Sequence, residues 1–144
     1  MRLDKNGNLR ETKILSYEEF KKVFGFNESR KEKLKRVLLF LKILKSFGCT
    51  NVYVAGSFVS SKEFPNDIDL CVDITNIDYR KLAKEYPELL QVKGIEKIRN
   101  EHNVHFALFF DFGSTELLDF FKKDREDNPK GLVKIYLSDI DDYD

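Results

Sequence analysis

Two aspartates in an alternating segment are the residues best suited to chemistry. Residues 67–74 alternate strictly between polar and apolar types, which is the pattern of a strand with one buried face. Asp67 and Asp69 then face the same side, roughly 6.6 Å apart at 3.3 Å per residue, with Cys71 and Asp73 after them. Neighbouring carboxylates repel unless a cation neutralises them, and hard oxygen ligands suit Mg²⁺ or Mn²⁺. The pair therefore predicts a divalent metal site of the kind that supports in-line phosphoryl displacement.

A glycine–serine pair upstream adds a candidate phosphate-binding turn. Gly56 and Ser57 directly follow the β-prone run 52–55. Glycine lets the backbone approach a phosphate closely, and the serine hydroxyl and nearby N–H groups can donate to its oxygens. If a helix begins at Ser57, its N-terminal dipole adds to that attraction. Lys62 and Lys130 could also meet phosphates, although a loop lysine is usually only solvated.

Helices and strands alternate around these motifs. Ser16 and Glu19 form a capping box for a short helix that ends near Gly25, and apolar residues at helical spacing over 34–44 predict a second helix. Further helices are predicted over 78–88 and 94–101 and after Ser114, and strands over 52–55, 67–74, 104–112 and 132–137.

Length and composition predict one globular domain over residues 1–144. The chain is 42% hydrophobic and 35% charged, which argues against a disordered protein. Its alternating elements indicate the α/β class, of the α+β type. Residues 1–15 are polar and are expected to form an extended or loosely ordered arm, while residues 138–144 form an acidic tail.

Charge and hydropathy narrow the expected partners and compartment. Basic and acidic residues number 25 each, so no overall field attracts nucleic acid. No apolar run approaches the roughly 20 residues that span a bilayer, and no secretion signal is evident. Cys49 and Cys71 are too few for a zinc site, so a cytoplasmic location with reduced thiols is expected. The lysine-rich stretch 30–35 is interpreted as the solvated face of its helix.

The order of the motifs resembles the signature of the DNA polymerase beta-like nucleotidyltransferase superfamily. Gly56-Ser57 follows a strand, and nine residues later comes Asp67-Ile68-Asp69-Leu70. Either motif alone has an ordinary explanation, as a turn or as an exposed acidic strand face. Residues 54–70 look especially like the minimal nucleotidyltransferases of bacteria. Nearly the full chain is similar to a poorly characterised bacterial family of nucleotidyltransferase-like proteins, and this resemblance implies a mixed β-sheet flanked by helices.

The resemblance also implies roles for individual residues. Gly56 and Ser57, with Lys62 nearby, hold the triphosphate of an NTP. Asp67 and Asp69 bind Mg²⁺ or Mn²⁺. A third carboxylate on a neighbouring strand usually helps to activate the acceptor hydroxyl.

The third carboxylate is where this sequence departs from the pattern. The matching strand is expected over 103–111, and its central positions carry His105, Ala107 and Phe109. Asp111 has the same facing parity but lies near the end of that strand. Either Asp111 fills the role through a shifted register, or His105 substitutes for it, or the site is incomplete.

Three functions remain open at this stage. The first is a metal-dependent nucleotidyltransferase that transfers NMP from NTP to a hydroxyl of a protein, an RNA or a small molecule, with an acceptor surface that a partner protein could supply. The second is a catalytically degenerate binding module, for example a toxin–antitoxin-type partner protein. The third is a phosphate-binding regulator that uses Gly56 and Ser57 without metal. The nucleotidyltransferase is favoured over the degenerate module if Asp111 or His105 lies close enough to Asp67 and Asp69 to share a bound metal ion with them.

Overall fold

A five-stranded mixed sheet runs through the computed structural model, which describes residues 3–111, 116–124 and 126–140. The described strands are β1 (Lys13–Ile14), β2 (Asn51–Ala55), β3 (Ile68–Asp73), β4 (Val104–Phe109) and β5 (Val133–Tyr136), in the spatial order β1-β5-β2-β3-β4. β1 is parallel to β5 and β3 is parallel to β4, whereas β2 is antiparallel to both of its neighbours. The predicted mixed sheet with flanking helices is confirmed.

The helices of the described ranges are α1 (Tyr17–Phe24), α2 (Glu28–Ser46), α3 (Tyr79–Glu85), α4 (Val92–His102) and α5 (Glu116–Phe121). The capping box starts α1 as predicted, because Ser16 Oγ accepts from the Glu19 N–H at 3.1 Å and Glu19 Oε1 accepts from the Ser16 N–H at 3.0 Å. Asn27 caps α2, which begins six residues before the predicted start at Leu34. No helix in these ranges has the length and apolar composition needed to span a membrane.

The two faces of the sheet carry different cores. The apolar residues of β3 point into the larger core, which α1 to α4 close. Asp69, Cys71 and Asp73 point to the opposite face, as the alternation predicts. There Cys71 packs against Leu118 of α5 in a smaller cluster. Because α5 covers only part of this face, the Asp69 and His105 side chains beside the cluster keep 23% and 34% of their surface exposed.

The N-terminal arm is an edge of the sheet rather than a loosely ordered segment. Leu9 is fully buried, and its carbonyl accepts from the Gly131 N–H at 2.8 Å. Lys13 lies in register with Val133 in the parallel pair of β1 and β5. The arm is extended, as expected, but its partner strand comes from the other end of the chain.

Some predicted elements differ at their ends. β4 stops at Phe109, three residues before the predicted end at Phe112. At the tail, Leu137–Asp139 forms a 3₁₀ turn in which Ser138 and Asp139 are exposed, and the following Ile140 is buried. Residues 141–144 and the predicted helix cap Ser114 lie outside the described residues.

Arg30 is fully buried, so the interpretation of residues 30–35 as a solvated helix face is wrong at this position. Its guanidinium donates to four backbone carbonyls, at 2.6–3.2 Å, those of Phe24, Phe58, Ser60 and Lys62. It also lies 4.1 and 4.6 Å from the ring centroids of Phe26 and Phe58. Burial lowers its pKa to about 10, so the group stays charged at neutral pH. The first turn of α2 therefore anchors the loop that follows Gly56 and Ser57.

Replacing Arg30 with Met should destabilise the fold by roughly 3 kcal/mol or more, because three buried carbonyls and the part-buried carbonyl of Lys62 lose a charged donor. Urea denaturation measures the change. Arg36→Met is the matched control, since Arg36 is partly exposed and its contact with Glu32 is 3.9 Å long; a surface pair of this kind contributes about 1 kcal/mol or less. Equal losses in the two variants would contradict the anchoring role of Arg30.

Candidate functional site

The register of three neighbouring strands brings the predicted residues into one row. Ala55 of β2 lies opposite Asp69 of β3, and Asp69 lies beside His105 of β4. Gly56 follows Ala55 directly, so the predicted phosphate-binding turn begins next to the Asp69 carboxylate. The sheet itself therefore places a glycine turn, a carboxylate and an imidazole side by side.

Gly56 is required by both its conformation and its surroundings. Its φ is +74°, in the left-handed region that favours glycine. A Cβ at this position would collide with the carboxylate of Asp69. The segment from Gly56 to Val59 is a four-residue 3₁₀ turn, so the condition of a helix beginning at Ser57, with its N-terminal dipole, is not met here. The turn instead brings the Gly56 backbone close to the Asp69 carboxylate.

Each aspartate of the pair contacts a basic side chain of the described ranges. Arg99 Nε donates to Asp67 Oδ2 at 2.9 Å, and His105 Nδ1 lies 3.1 Å from Asp69 Oδ1. Burial raises the pKa of the Asp69 carboxyl, and the negative charge of Asp67 raises it further, while the contact with His105 acts in the opposite direction. The Asp69 carboxylate is thus an unfavourable charge in the free protein, and a bound cation would stabilise it.

Two lysines supply positive charge near the row. Lys130 is half-buried, and burial lowers the pKa of its amino group. The charges of Asp69 and Asp124 oppose that shift, whereas the charge of Lys62 adds to it, so these three groups lie within electrostatic range of Lys130. Lys62 itself is exposed. Phosphate contact by either lysine stays a prediction.

The structure does not bring Asp111 to the row. Asp73 pairs with Phe109 in the register of β3 and β4, so no shifted register returns Asp111 towards Asp69. The Asp111 N–H instead donates to Thr75 Oγ1 at 2.8 Å, beyond the far end of β3. The strand from His105 to Phe109 alone spans roughly 13 Å, and Asp111 lies beyond its end. Of the two residues considered for the role of the third carboxylate, Asp111 and His105, only His105 contacts the aspartate pair.

Asp73 is occupied with structural hydrogen bonds. Its carboxylate accepts from the backbone and the hydroxyl of Thr75, at 3.0 and 2.7 Å, and from Asn51 Nδ2 at 3.1 Å. It is also buried. Asp73 therefore fixes the loop after β3, although it shares a sheet face with Asp69.

Arg99 is the site residue that sequence reasoning missed. It lies on α4, and only the parallel pairing of β3 with the strand after α4 brings it to Asp67. No local pattern marks it, because an arginine on an amphipathic helix is ordinarily a solvated residue. A sequence search for a basic residue one helical turn before the strand that follows the Asp-x-Asp segment could have found it.

Asp67 and Asp69 are better suited to a metal ion that binds together with a substrate phosphate than to a site in which the protein supplies every ligand. Within the described ranges, no group of three or more His, Cys, Asp or Glu side chains is placed to hold a metal ion. Mg²⁺, however, is commonly bound by one or two carboxylates together with substrate phosphates and water. Asp67 and Asp69 meet that requirement, and their mutual repulsion favours a cation between them.

Comparison with known proteins identifies a family without a described activity. The family of unknown function DUF6932 matches residues 1–136 of the chain. No curated protein and no solved structure matches it.

Replacing Gly56 with Ala should destabilise the fold by about 1–3 kcal/mol, because a Cβ enforces both a strained φ and a clash with the Asp69 carboxylate. Urea denaturation of Gly56→Ala, Asp69→Ala and the double variant separates the two causes. Removing the carboxylate should recover part of the loss and leave the part due to φ. Strict additivity of the two single variants would contradict the close contact.

Proposed function

We propose that this chain, which belongs to the DUF6932 family, is a metal-dependent nucleotidyltransferase that transfers NMP from NTP to a hydroxyl acceptor. The observation that carries the proposal is the row formed by Gly56, Asp69 and His105 across β2, β3 and β4. It combines a turn open to phosphate, a carboxylate in need of a cation and an imidazole. These are the groups that positioning and electrostatic stabilisation of phosphoryl transfer require.

The phosphates of the NTP would lie against the turn and the two lysines. The Gly56 backbone lies against the Asp69 carboxylate, and the half-buried Ser57 beside it can donate its hydroxyl to a phosphate oxygen. Lys130 and Lys62 bring positive charge to the same end of the sheet. Because Lys130 is partly desolvated, its charge acts on a phosphate more strongly than that of a solvated lysine.

Asp67 and Asp69 would hold Mg²⁺ or Mn²⁺, which when bound neutralises the phosphates of the NTP. Arg99 keeps the Asp67 carboxylate oriented beside Asp69 through its 2.9 Å contact. Asp69 uses Oδ1 for His105, while Oδ2 is the oxygen nearest to Gly56. The second oxygen is therefore the one that faces the phosphate-binding turn.

His105 is the candidate general base. An ionised Asp69 carboxylate only accepts hydrogen bonds, so Nδ1 of His105 carries the proton in this contact and Nε2 keeps a lone pair. Nε2 can take the proton of the acceptor hydroxyl as its oxygen attacks the α-phosphorus and pyrophosphate leaves. Asp69 then stabilises the imidazolium that forms. This assignment follows the alternative in which His105 substitutes for the third carboxylate.

The proposed acceptor is defined by its chemistry, as a hydroxyl group. A protein side chain, an RNA end and a small molecule all supply one, and a partner protein, in the manner of a toxin–antitoxin pair, could contribute the surface that holds it. The partly open face beside α5 leaves room for such an acceptor. A cytoplasmic location, where NTP and Mg²⁺ are abundant, belongs to the same proposal.

One observation favours a second candidate function, a nucleotide-binding module without turnover. In the described part of the chain, the third place of the row holds His105 and no carboxylate. Arg99 also already neutralises Asp67. In such a module the same groups bind NTP, but no residue drives transfer.

Incubation with α-phosphate-labelled NTPs, Mg²⁺ and a cell extract should transfer label to one acceptor class, separated as protein, RNA or small molecule. His105→Ala should slow transfer by about 10²–10⁴-fold, because the base is lost, and Asp69→Asn should abolish it. His102→Ala is the matched control, since His102 lies on α4 with 44% of its side chain exposed. Binding without transfer would favour the second candidate, and full activity of His105→Ala would remove His105 from the mechanism.

Replacing Lys130 with Met should weaken NTP affinity about tenfold or more, as expected for loss of a charged donor to phosphate. Fluorescence titration with a labelled NTP analogue measures the change. Lys84→Met provides the control, because Lys84 is exposed on α3. Unchanged affinity in Lys130→Met would exclude the lysine from the phosphate site.

A further inference from the structure

A groove rimmed by lysines lies between α1 and α2, on the sheet side opposite the candidate site. Its volume is about 960 Å³, and it shares no residue with the row of Gly56, Asp69 and His105. Four lysines form its polar rim: Lys21, Lys22, Lys31 and Lys35. Leu38 is the half-buried apolar residue of its floor, beneath which Tyr17, Leu34 and Ile140 are almost fully buried. The combination of a charged rim and an apolar floor suits an amphipathic ligand.

Hydrogen bonds hold the walls of the groove in place. The Tyr17 hydroxyl on α1 donates to the Leu34 carbonyl on α2 at 3.0 Å. Arg30 on α2 donates to the Phe24 carbonyl at the end of α1 at 2.9 Å. Lys45 Nζ donates to the Ile140 carbonyl at 2.6 Å, which fixes the segment that closes one side. A groove with fixed walls binds its ligand at a lower cost in ordering.

The charges of the groove favour separated carboxylates over a uniform polyanion. Lys22 and Lys35 are exposed, and neither forms an ion pair with another described residue. The lining also contains Glu18 and Asp139, so four lysines and two acids leave a net charge of +2. A continuous phosphate backbone would meet these acids, whereas an acidic peptide can direct its carboxylates to the lysines alone.

We propose that this groove binds an acidic amphipathic segment of a partner protein. Carboxylates of the segment pair with Lys22 and Lys35, and its apolar side chains lie on Leu38 and on the aliphatic stems of the rim lysines. A helix suits the groove, because helical spacing puts both kinds of side chain on adjacent faces and helix-in-groove docking uses such anchors. The surface is independent of the proposed transfer reaction.

Fluorescence anisotropy tests the proposal with a labelled helical peptide of about 15 residues, built from Glu and Leu at helical spacing. The peptide should bind, and its affinity should fall as salt rises, because the rim charges are solvent-exposed. The double variant Lys22→Glu/Lys35→Glu should weaken binding at least tenfold. Lys84→Glu/Lys93→Glu, which reverses two exposed lysines on α3 and α4, should leave the affinity unchanged, as should Asp69→Asn.

Several outcomes would overturn the proposal. They are no binding of the acidic peptide, equal binding of a peptide with Lys in place of Glu, and unchanged affinity in the groove variant. Tighter binding of a single-stranded RNA of about 15 nucleotides, lost in the same variant, would instead assign the groove to nucleic acid. Circular dichroism of each variant establishes that it is folded, and Leu38→Ser, which alters the floor alone, should weaken peptide binding without a change in salt dependence.

Discussion

The buried guanidinium of Arg30 is the interaction on which the loop after the phosphate-binding turn depends. Buried backbone carbonyls need donors, and in this loop the carbonyls of Phe58, Ser60 and Lys62 all receive them from this one side chain. The planar fork of N–H groups can reach several acceptors at once, which the ammonium of a lysine cannot. Because the loop joins Gly56 to β3, α2 and the sheet together determine where the turn meets Asp69.

Charge is the second constraint on the site. Asp69 and Asp73 lie on one face of β3, with Asp67 directly before the strand, yet only Asp73 of the three has its carboxylate fully engaged by neutral donors. The other two repel each other, and among the described residues Arg99 contacts Asp67 and His105 contacts Asp69. Retention of such a charge pair, with the Asp69 pKa raised by burial, is typical of functional sites rather than of structural ones. The energetic penalty on Asp69 is the physical basis for expecting a cation.

Local sequence patterns predicted much of the framework. The strict alternation of residues 67–74 assigned the faces of β3 correctly, and the capping box placed the start of α1. Gly56 was recognised because a strand followed by Gly-Ser is a local signal, and its positive φ agrees with that reading. Each of these features is encoded within a few residues, where side-chain periodicity and capping preferences act directly.

Long-range pairing accounts for what the sequence did not reveal. Periodicity gives the facing of a residue but not the register of its strand, so Asp111 had the correct parity and still lies at the wrong end of β4. The contact of Arg99 with Asp67 and the pairing of β1 with β5 likewise join segments distant in sequence. Arg30 was misjudged for a related reason, since a basic residue in a lysine-rich stretch is rarely buried and its carbonyl partners come from another loop.

Calorimetric titration with each NTP, with and without Mg²⁺, tests the central claim that the aspartate pair forms a metal-dependent nucleotide site. The account predicts binding that requires Mg²⁺ and that Asp67→Asn/Asp69→Asn weakens at least tenfold, while Asp139→Asn, distant from the row, binds as the unmodified protein does. Binding that is equally tight without Mg²⁺ and in the double variant would contradict the metal site. Absence of binding for every NTP would contradict the nucleotide site itself.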